Sequence, residues 1–263
     1  MGRLSRFLSL GLLFLAAAHP TLAAKPSPGC GKANSLITAG AATTPLALTS
    51  GGKAREYFVK LPANYDSSHP YRLIFTLHAL GGNAKQVTVG QSGYLPWYGL
   101  PALINDTVNA VYVAPTGLSN GWWNTGGSDL TFIKELIKVV EDDLCIDQNL
   151  RFSTGFSHGG AMSFILACGL GKELRAVAVL SGNPQISGSC PGGTEPVAWY
   201  SEHGTKDTVL PPAGGRQMRD RFLKNNGCTV KEAKEPATGE KHIKTVYEGC
   251  KEGYPVTYVS FDG

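Results

Sequence analysis

The chain has 263 residues and a formal net charge of +4, long enough for one substantial hydrophobic core and too short for two large domains. Arg3 and Arg6 supply half of that charge. The other basic residues form no cluster that tracks a phosphate backbone, since the lysine-rich stretch 224–244 is diluted by glutamates, and this excludes a nucleic-acid partner.

Arg3 and Arg6 precede the apolar run LSLGLLFLAAA, which is followed by His19-Pro20 and the small residues Thr21, Ala23 and Ala24. This is the layout of a secretory signal peptide, with Thr21 and Ala23 suited to positions −3 and −1 and cleavage after Ala23. The run is too short to cross a bilayer, so no membrane attachment is expected. Residues 24–263 then form one domain, with a location outside the cell.

Residues 24–51, rich in Pro, Gly, Ala and Thr, read as a surface wrap tied down at Cys30. Residues 54–61 alternate polar and apolar side chains, and 71–77 (YRLIFTL) is more continuously apolar, as an interior strand is. The latter runs into the turn His78-Ala79-Leu80-Gly81-Gly82. Asn105-Asp106-Thr107 is the one glycosylation sequon. A strand is predicted over 110–114, and the loop GWWNTGGSD leads to Asp129 as cap of a helix over 130–142. Strands follow at 151–155, 176–180, 196–202 and 255–261, with helices over 159–168 and 214–226. Strands alternating with helices predict an α/β fold, a mostly parallel sheet flanked by helices, with ligands beyond the carboxyl ends of the strands. Six cysteines behind a signal peptide, Cys30, Cys145, Cys168, Cys190, Cys228 and Cys250, imply up to three disulfides. Fifteen pairings are open, with a preference for Cys228–Cys250, which brackets a charged excursion.

Gly155-Phe156-Ser157-His158-Gly159 matches G-x-S-x-G between a predicted strand and a predicted helix, the setting of a nucleophile elbow. Ser157 is therefore the expected nucleophile, against an incidental Gly-Ser turn. The backbone N–H of His158 is an expected oxyanion donor at a helix N-terminus, and the second donor is Ala79 or Leu80. The ring of His158 is expected to pack or to line the site entrance. His78 reads as loop support, with substrate contact as an alternative. Asp207, in the turn HGTKD after a strand, is the expected acid, and Asp129 its rival. In the order Ser…Asp…His the base must follow Asp207; only His242 does so, in a stretch that reads as an exposed hairpin. His203 lies too close to Asp207 in sequence to complete the usual geometry.

Several separated blocks, LIFTLHALGG, YVAPTGLSNGWWNTGGSD, LCIDQNLRFSTGFSHGGAMSF, AVAVLSG, HGTKDTVLP and PVTYVSFDG, together resemble the fungal feruloyl esterases. This carbohydrate esterase family 1-like group is related to acetylxylan esterases and polyhydroxybutyrate depolymerases. The resemblance covers nearly all of 30–263 and implies an α/β-hydrolase fold with Ser157 and Asp207 as nucleophile and acid. It also implies no metal or organic cofactor, and hydroxycinnamoyl esters of plant cell-wall polysaccharides as substrate. A monomer is expected. A phenolic acyl group needs a flat apolar slot, for which Trp97, Tyr98, Trp122 and Trp123 are candidates, Trp97 and Trp123 foremost. In the family the catalytic histidine follows soon after the block matching Phe261-Asp262-Gly263, where this chain ends. The expectation is thus a domain cut short before its histidine and C-terminal helix. Acetylxylan or short-acyl esterase, polyester depolymerase, and a catalytically inactive carbohydrate-binding remnant stay open as alternatives.

Overall fold

The computed structural model describes residues 23–103, 109–190 and 192–263; Asn105 and residues 1–22 of the expected signal peptide lie outside these. Among the described residues the strands are β1 (Leu46–Ser50), β2 (Lys53–Lys60), β3 (Tyr71–Leu77), β4 (Ala110–Pro115), β5 (Ile146–Phe156), β6 (Ala176–Leu180), β7 (Ala198–Gly204), β8 (His242–Tyr247) and β9 (Val256–Phe261). They form one sheet in the order β1-β2-β4-β3-β5-β6-β7-β9-β8. The six strands from β4 to β9 are mutually parallel, while β1, β2 and β8 add antiparallel pairings at the two edges. This is the mostly parallel sheet expected from the alternation of strands and helices, in the α/β-hydrolase arrangement that the resemblance implied.

The helices are α1 (Ala84–Val89), α2 (Leu100–Leu103), α3 (Ser128–Asp143), α4 (His158–Gly169) and α5 (Pro212–Asn225). The β3 sequence is apolar nearly throughout because it lies between β4 and β5 and is covered on both faces. From His158 to Cys168 every residue of α4 is buried, so its apolar character runs all round instead of along one stripe. Phe164 meets Trp199 and Phe222 edge-on, and Trp199 stacks on Phe222 at 4.5 Å, which locks α4 and α5 onto β7. On the opposite face α1 and the turn Pro96–Gly99 cover β2, β4 and part of β3, with Trp97 against Tyr112. Farther along that face, over β5, β6, β7 and β9, runs an apolar groove of about 360 Å³ containing Phe152, Ala178 and Tyr200.

The structure differs from the sequence expectations at β1 and at Asp129, and agrees at His242. Residues 46–50 leave the N-terminal wrap to form β1, a hairpin partner of β2. His242 begins β8, which pairs antiparallel with β9 as the exposed hairpin expected there. Asp129 does not cap α3: it sits inside the first turn, and the residue before the helix is Gly127. Its carboxylate instead accepts from Asn124 N–H at 2.7 Å and pairs with buried Arg55 at 2.8 Å, while Asn124 Oδ1 accepts from the N–H groups of Asp129 and Leu130. Asn124 thus satisfies helix N–H groups that an N-cap side chain ordinarily would. Three disulfides, Cys30–Cys145, Cys168–Cys190 and Cys228–Cys250, use all six cysteines.

Candidate active site

Ser157 occupies the one residue between the end of β5 and the start of α4, with φ 57° and ψ −117°. This backbone region is sparsely populated for a residue with a side chain and persists only where the surroundings fix it. Here the serine N–H donates to Leu180 O at 2.9 Å and its carbonyl accepts the Ala161 N–H at 2.9 Å. The flanking glycines leave no room for a side chain. A Cβ on Gly155 would lie 2.4 Å from the Gly159 carbonyl carbon, and one on Gly159 would lie 2.2 Å from Leu77 O. The sharp turn therefore requires glycine by contact, independent of any need for unusual dihedrals at those two positions. The hydroxyl projects at the carboxyl ends of the strands, beside the first N–H groups of α4.

The facing turn follows β3. Ala79 N–H is not free, since it donates to Tyr94 Oη at 2.7 Å. Gly81 N–H donates to Asn120 O at 2.7 Å and Gly82 N–H to Ala79 O at 3.0 Å. Of the two residues proposed from sequence for an oxyanion donor, Leu80 is thus the one whose N–H makes no hydrogen bond among the described residues, and it lines the neighbouring cleft.

His78 is fully buried and does not form part of a substrate pocket. Its Nε2 accepts the Gly117 N–H at 2.9 Å, so the ring proton sits on Nδ1 and is donated to Ala79 O at 2.7 Å. The ring lies 4.9 Å from that of Trp122, whose Nε1–H donates to His78 O. Burial pushes the His78 pKa down to about 4, against a smaller upward pull from the bond to Ala79. The backbone turn needs this support, and its supplier is too deep to touch substrate. His158 is buried as well and does not line an entrance: Nδ1 accepts the Trp122 N–H at 3.2 Å and Nε2–H donates to Ile186 O at 2.8 Å. Burial again lowers its pKa. With both nitrogens engaged, neither ring is available to Ser157 as a base.

Asp207 lies in the turn after β7. Its Oδ1 accepts the N–H groups of Val209 and Leu210, both at 2.9 Å, and its Oδ2 is 3.4 Å from His203 Nε2. His203 is buried and gives its Nε2–H to Leu210 O at 2.7 Å, while α5 packs so tightly that a Cβ on Gly215 would come within 2.4 Å of Nδ1. It braces the Asp207 turn. His242 is exposed on β8.

The four candidate aromatics separate. Trp97 is buried in the cluster between β4 and the turn Pro96–Gly99, away from the cleft, and Trp122 is wholly buried against His78. Trp123 is 51% exposed and meets His158 edge-on at 4.8 Å. Tyr98 lines a cleft of about 620 Å³ with Leu80, Tyr94, Leu95, Phe156 and Leu180. The cleft adjoins the elbow through Phe156, the residue before the serine.

No protein-family model matches the chain. Feruloyl esterase D of Neurospora crassa is 46% identical over 264 residues, spanning 98% of this chain and 89% of that protein. Feruloyl esterase C of Emericella nidulans is 45% identical over 238 residues, 90% and 82% of the two chains. The chain belongs to the fungal feruloyl esterase family. A solved acetyl xylan esterase from Aspergillus awamori superposes with a TM-score of 0.61 at 15% identity, covering 82% of this chain and 92% of that one, a likeness of fold. As a member of the feruloyl esterase family the chain is a carboxylic ester hydrolase. Sequence reasoning about this family member did not single out Tyr94, which sits in a loop without periodicity (QSGYLPWYG). Nor did it anticipate the hydroxyl contacts of Tyr98, since no local spacing encodes a bond from residue 98 to residues 77 and 156.

Proposed function

We propose that the protein is a secreted serine esterase that hydrolyses feruloyl and related hydroxycinnamoyl esters of plant cell-wall polysaccharides. The observation that carries this reading is the strained Ser157 elbow standing beside an apolar, tyrosine-walled cleft in a chain of this family. Ser157 is the nucleophile, Asp207 the acid, and the N–H groups of His158 and Leu80 the oxyanion donors. Leu80, Tyr94, Leu95, Tyr98 and Phe156 offer flat or apolar surface to a phenolic acyl group, and Trp123 offers an exposed ring to the polysaccharide side. A signal peptide ending at Ala23 and three disulfides support export. One esterase domain over residues 24–263 is part of the same reading.

The base takes the proton from Ser157 Oγ as that oxygen attacks the ester carbonyl, and the two backbone N–H groups hold the tetrahedral oxyanion. The base then returns the proton to the departing sugar oxygen. Water, deprotonated by the same base, cleaves the acyl-enzyme to release the cinnamic acid and free Ser157. The chain that leaves β9 supports the Asp207 turn. Lys206 N–H donates to Gly263 O at 2.6 Å and Thr205 N–H to Phe261 O at 2.9 Å, so the backbone leaving β9 runs along the Asp207 turn.

The test is kcat/KM of the secreted chain on methyl ferulate and p-nitrophenyl acetate, beside Ser157→Ala. Ser157-dependent turnover near 10⁴ M⁻¹s⁻¹ or above, roughly the lower end of enzymatic efficiency, with ferulate preferred, supports the reading. Preference for acetate overturns the acyl specificity. Activity unchanged by Ser157→Ala overturns the nucleophile.

A further inference from the structure

The strand pair that carries the two halves of the site is tied by a side chain at its carboxyl end. β3 and β5 run parallel in register through Leu77 opposite Gly155. In that register Phe156 N–H faces Leu77 O across the ladder. The hydroxyl of Tyr98 bonds to both groups: Phe156 N–H donates to Tyr98 Oη at 3.0 Å, and that O–H donates to Leu77 O at 2.7 Å. One side chain therefore bridges the residue before Ser157 and the residue before the His78–Gly82 turn. Tyr98 reaches this place from a strained backbone, with φ 58° next to Trp97 at φ 53°. Burial raises the pKa of its hydroxyl far above the ordinary tyrosine value, so it stays a neutral donor and acceptor. Tyr94 extends the bridge. Its ring meets Tyr98 edge-on at 5.5 Å, and its hydroxyl accepts the Ala79 N–H, one residue from Leu80.

We propose that Tyr98, backed by Tyr94, is a positioning residue that sets the gap between the Ser157 elbow and the oxyanion turn. The inference rests on the reading of Ser157 as nucleophile and of Leu80 as oxyanion donor. A hydroxyl bonded to both strand ends fixes their separation. Removing it frees both groups from this tie and lets the serine and the Leu80 N–H drift out of alignment. Such an error weakens stabilisation of the transition state more than binding of the ground-state ester.

The experiment compares the full chain with Tyr98→Phe and Tyr94→Phe on methyl ferulate and p-nitrophenyl acetate, with Ser157→Ala as reference. Tyr98→Phe keeps the ring and its cleft surface, so KM is expected to stay within about twofold while kcat falls about ten- to a hundredfold on both substrates. Equal loss on the small acetyl ester distinguishes positioning from a lost contact with the phenolic group. Hydrogen exchange at the Phe156 amide reads the same bridge without turnover, and its rate should change at least about tenfold in Tyr98→Phe. An unchanged kcat, a rise in KM alone, or unchanged exchange at Phe156 overturns the proposal. If Tyr98→Phe does not fold, Tyr94→Phe carries the test, with a smaller fall in kcat expected and an unchanged kcat counting against the pair. Turnover that survives Ser157→Ala would instead defeat the assignment of the nucleophile.

Discussion

Ser157 holds a backbone conformation that serine rarely takes, and the contacts that enforce it are steric. Gly155 and Gly159 stand where any Cβ would enter the neighbouring backbone. Because the requirement lies within five consecutive residues, G-x-S-x-G was legible in the sequence. His78 was only partly so. A histidine in a polar turn beside two glycines suggests either support or substrate contact, and the sequence carries no sign of the depth at which its ring ends. That depth has a measurable consequence. His78 stays neutral in the folded protein down to about pH 4, whereas the unfolded chain protonates it near its ordinary value of 6.5. The unfolded state thus binds the extra proton first, and stability falls as the pH drops through the window from 6.5 to 4. The total loss from this one ring is on the order of 3 kcal/mol. His158, also lowered by burial, shifts the balance in the same direction. Urea unfolding of wild type and His78→Asn between pH 7 and 4.5 isolates the contribution. The variant should start less stable at pH 7 and show a shallower decline; parallel profiles would contradict the assignment.

Among the elements, those with an apolar signature were readable and those at the margins less so. β3 and α4 are covered on their surfaces and carry the continuous apolar runs that such burial selects, and β6 is as apolar although one of its faces lines the groove. β1 (LALTS) and β8 (HIKTVY) are short edge strands with alternating exposure, and their local composition resembles that of a connector. Asp129 shows a different ambiguity, since an acidic residue at the head of an apolar-periodic stretch suits a cap, yet its partner is 74 residues away in β2. Arg55 lies over the ring of Phe132 at 4.6 Å, with its side chain and that of Asp129 only 1% and 3% exposed. The pair joins β2 to the start of α3 and the Trp123 loop. Asp129→Ala strips the partner from a buried guanidinium and releases Asn124 N–H, and is expected to cost about 3–5 kcal/mol. Replacing both members, Arg55→Met with Asp129→Leu, should recover a large part of that loss, because no unpaired charge then stays inside. A denaturation cycle over the four proteins measures this coupling. Additive losses would mean the pair contributes as two independent side chains.

At the scale of the whole molecule, the alternation of strands and helices was enough to predict a parallel sheet with a site at the strand ends, but not which cysteines meet across it. The three disulfides differ sharply in what they enclose. Cys30–Cys145 closes 115 residues, tying the N-terminal segment to the start of β5 around β1 to β4 and α1 to α3, whereas Cys168–Cys190 and Cys228–Cys250 each close 22. In the chain-entropy account the long loop restrains the unfolded chain by about 5 kcal/mol and each short one by about 3. Native contacts reinforce the difference. Ser27 Oγ donates to Leu144 O at 2.6 Å and accepts the Ile146 N–H at 2.8 Å, and Gly29 packs so closely on Leu144 that a Cβ there would lie 2.5 Å from its backbone. Without the covalent tie, this docked segment must be ordered from a free chain end. Paired serine substitutions should therefore destabilise in the order Cys30/Cys145 above the other two, by about 1–2 kcal/mol between them in urea unfolding of the otherwise oxidised proteins. Activity should fall least in the Cys30/Cys145 variant at low temperature, since Ser157 and Asp207 sit at the opposite ends of β5 and β7 from that bridge. Equal destabilisation by all three would mean that loop length is not what the disulfides contribute here.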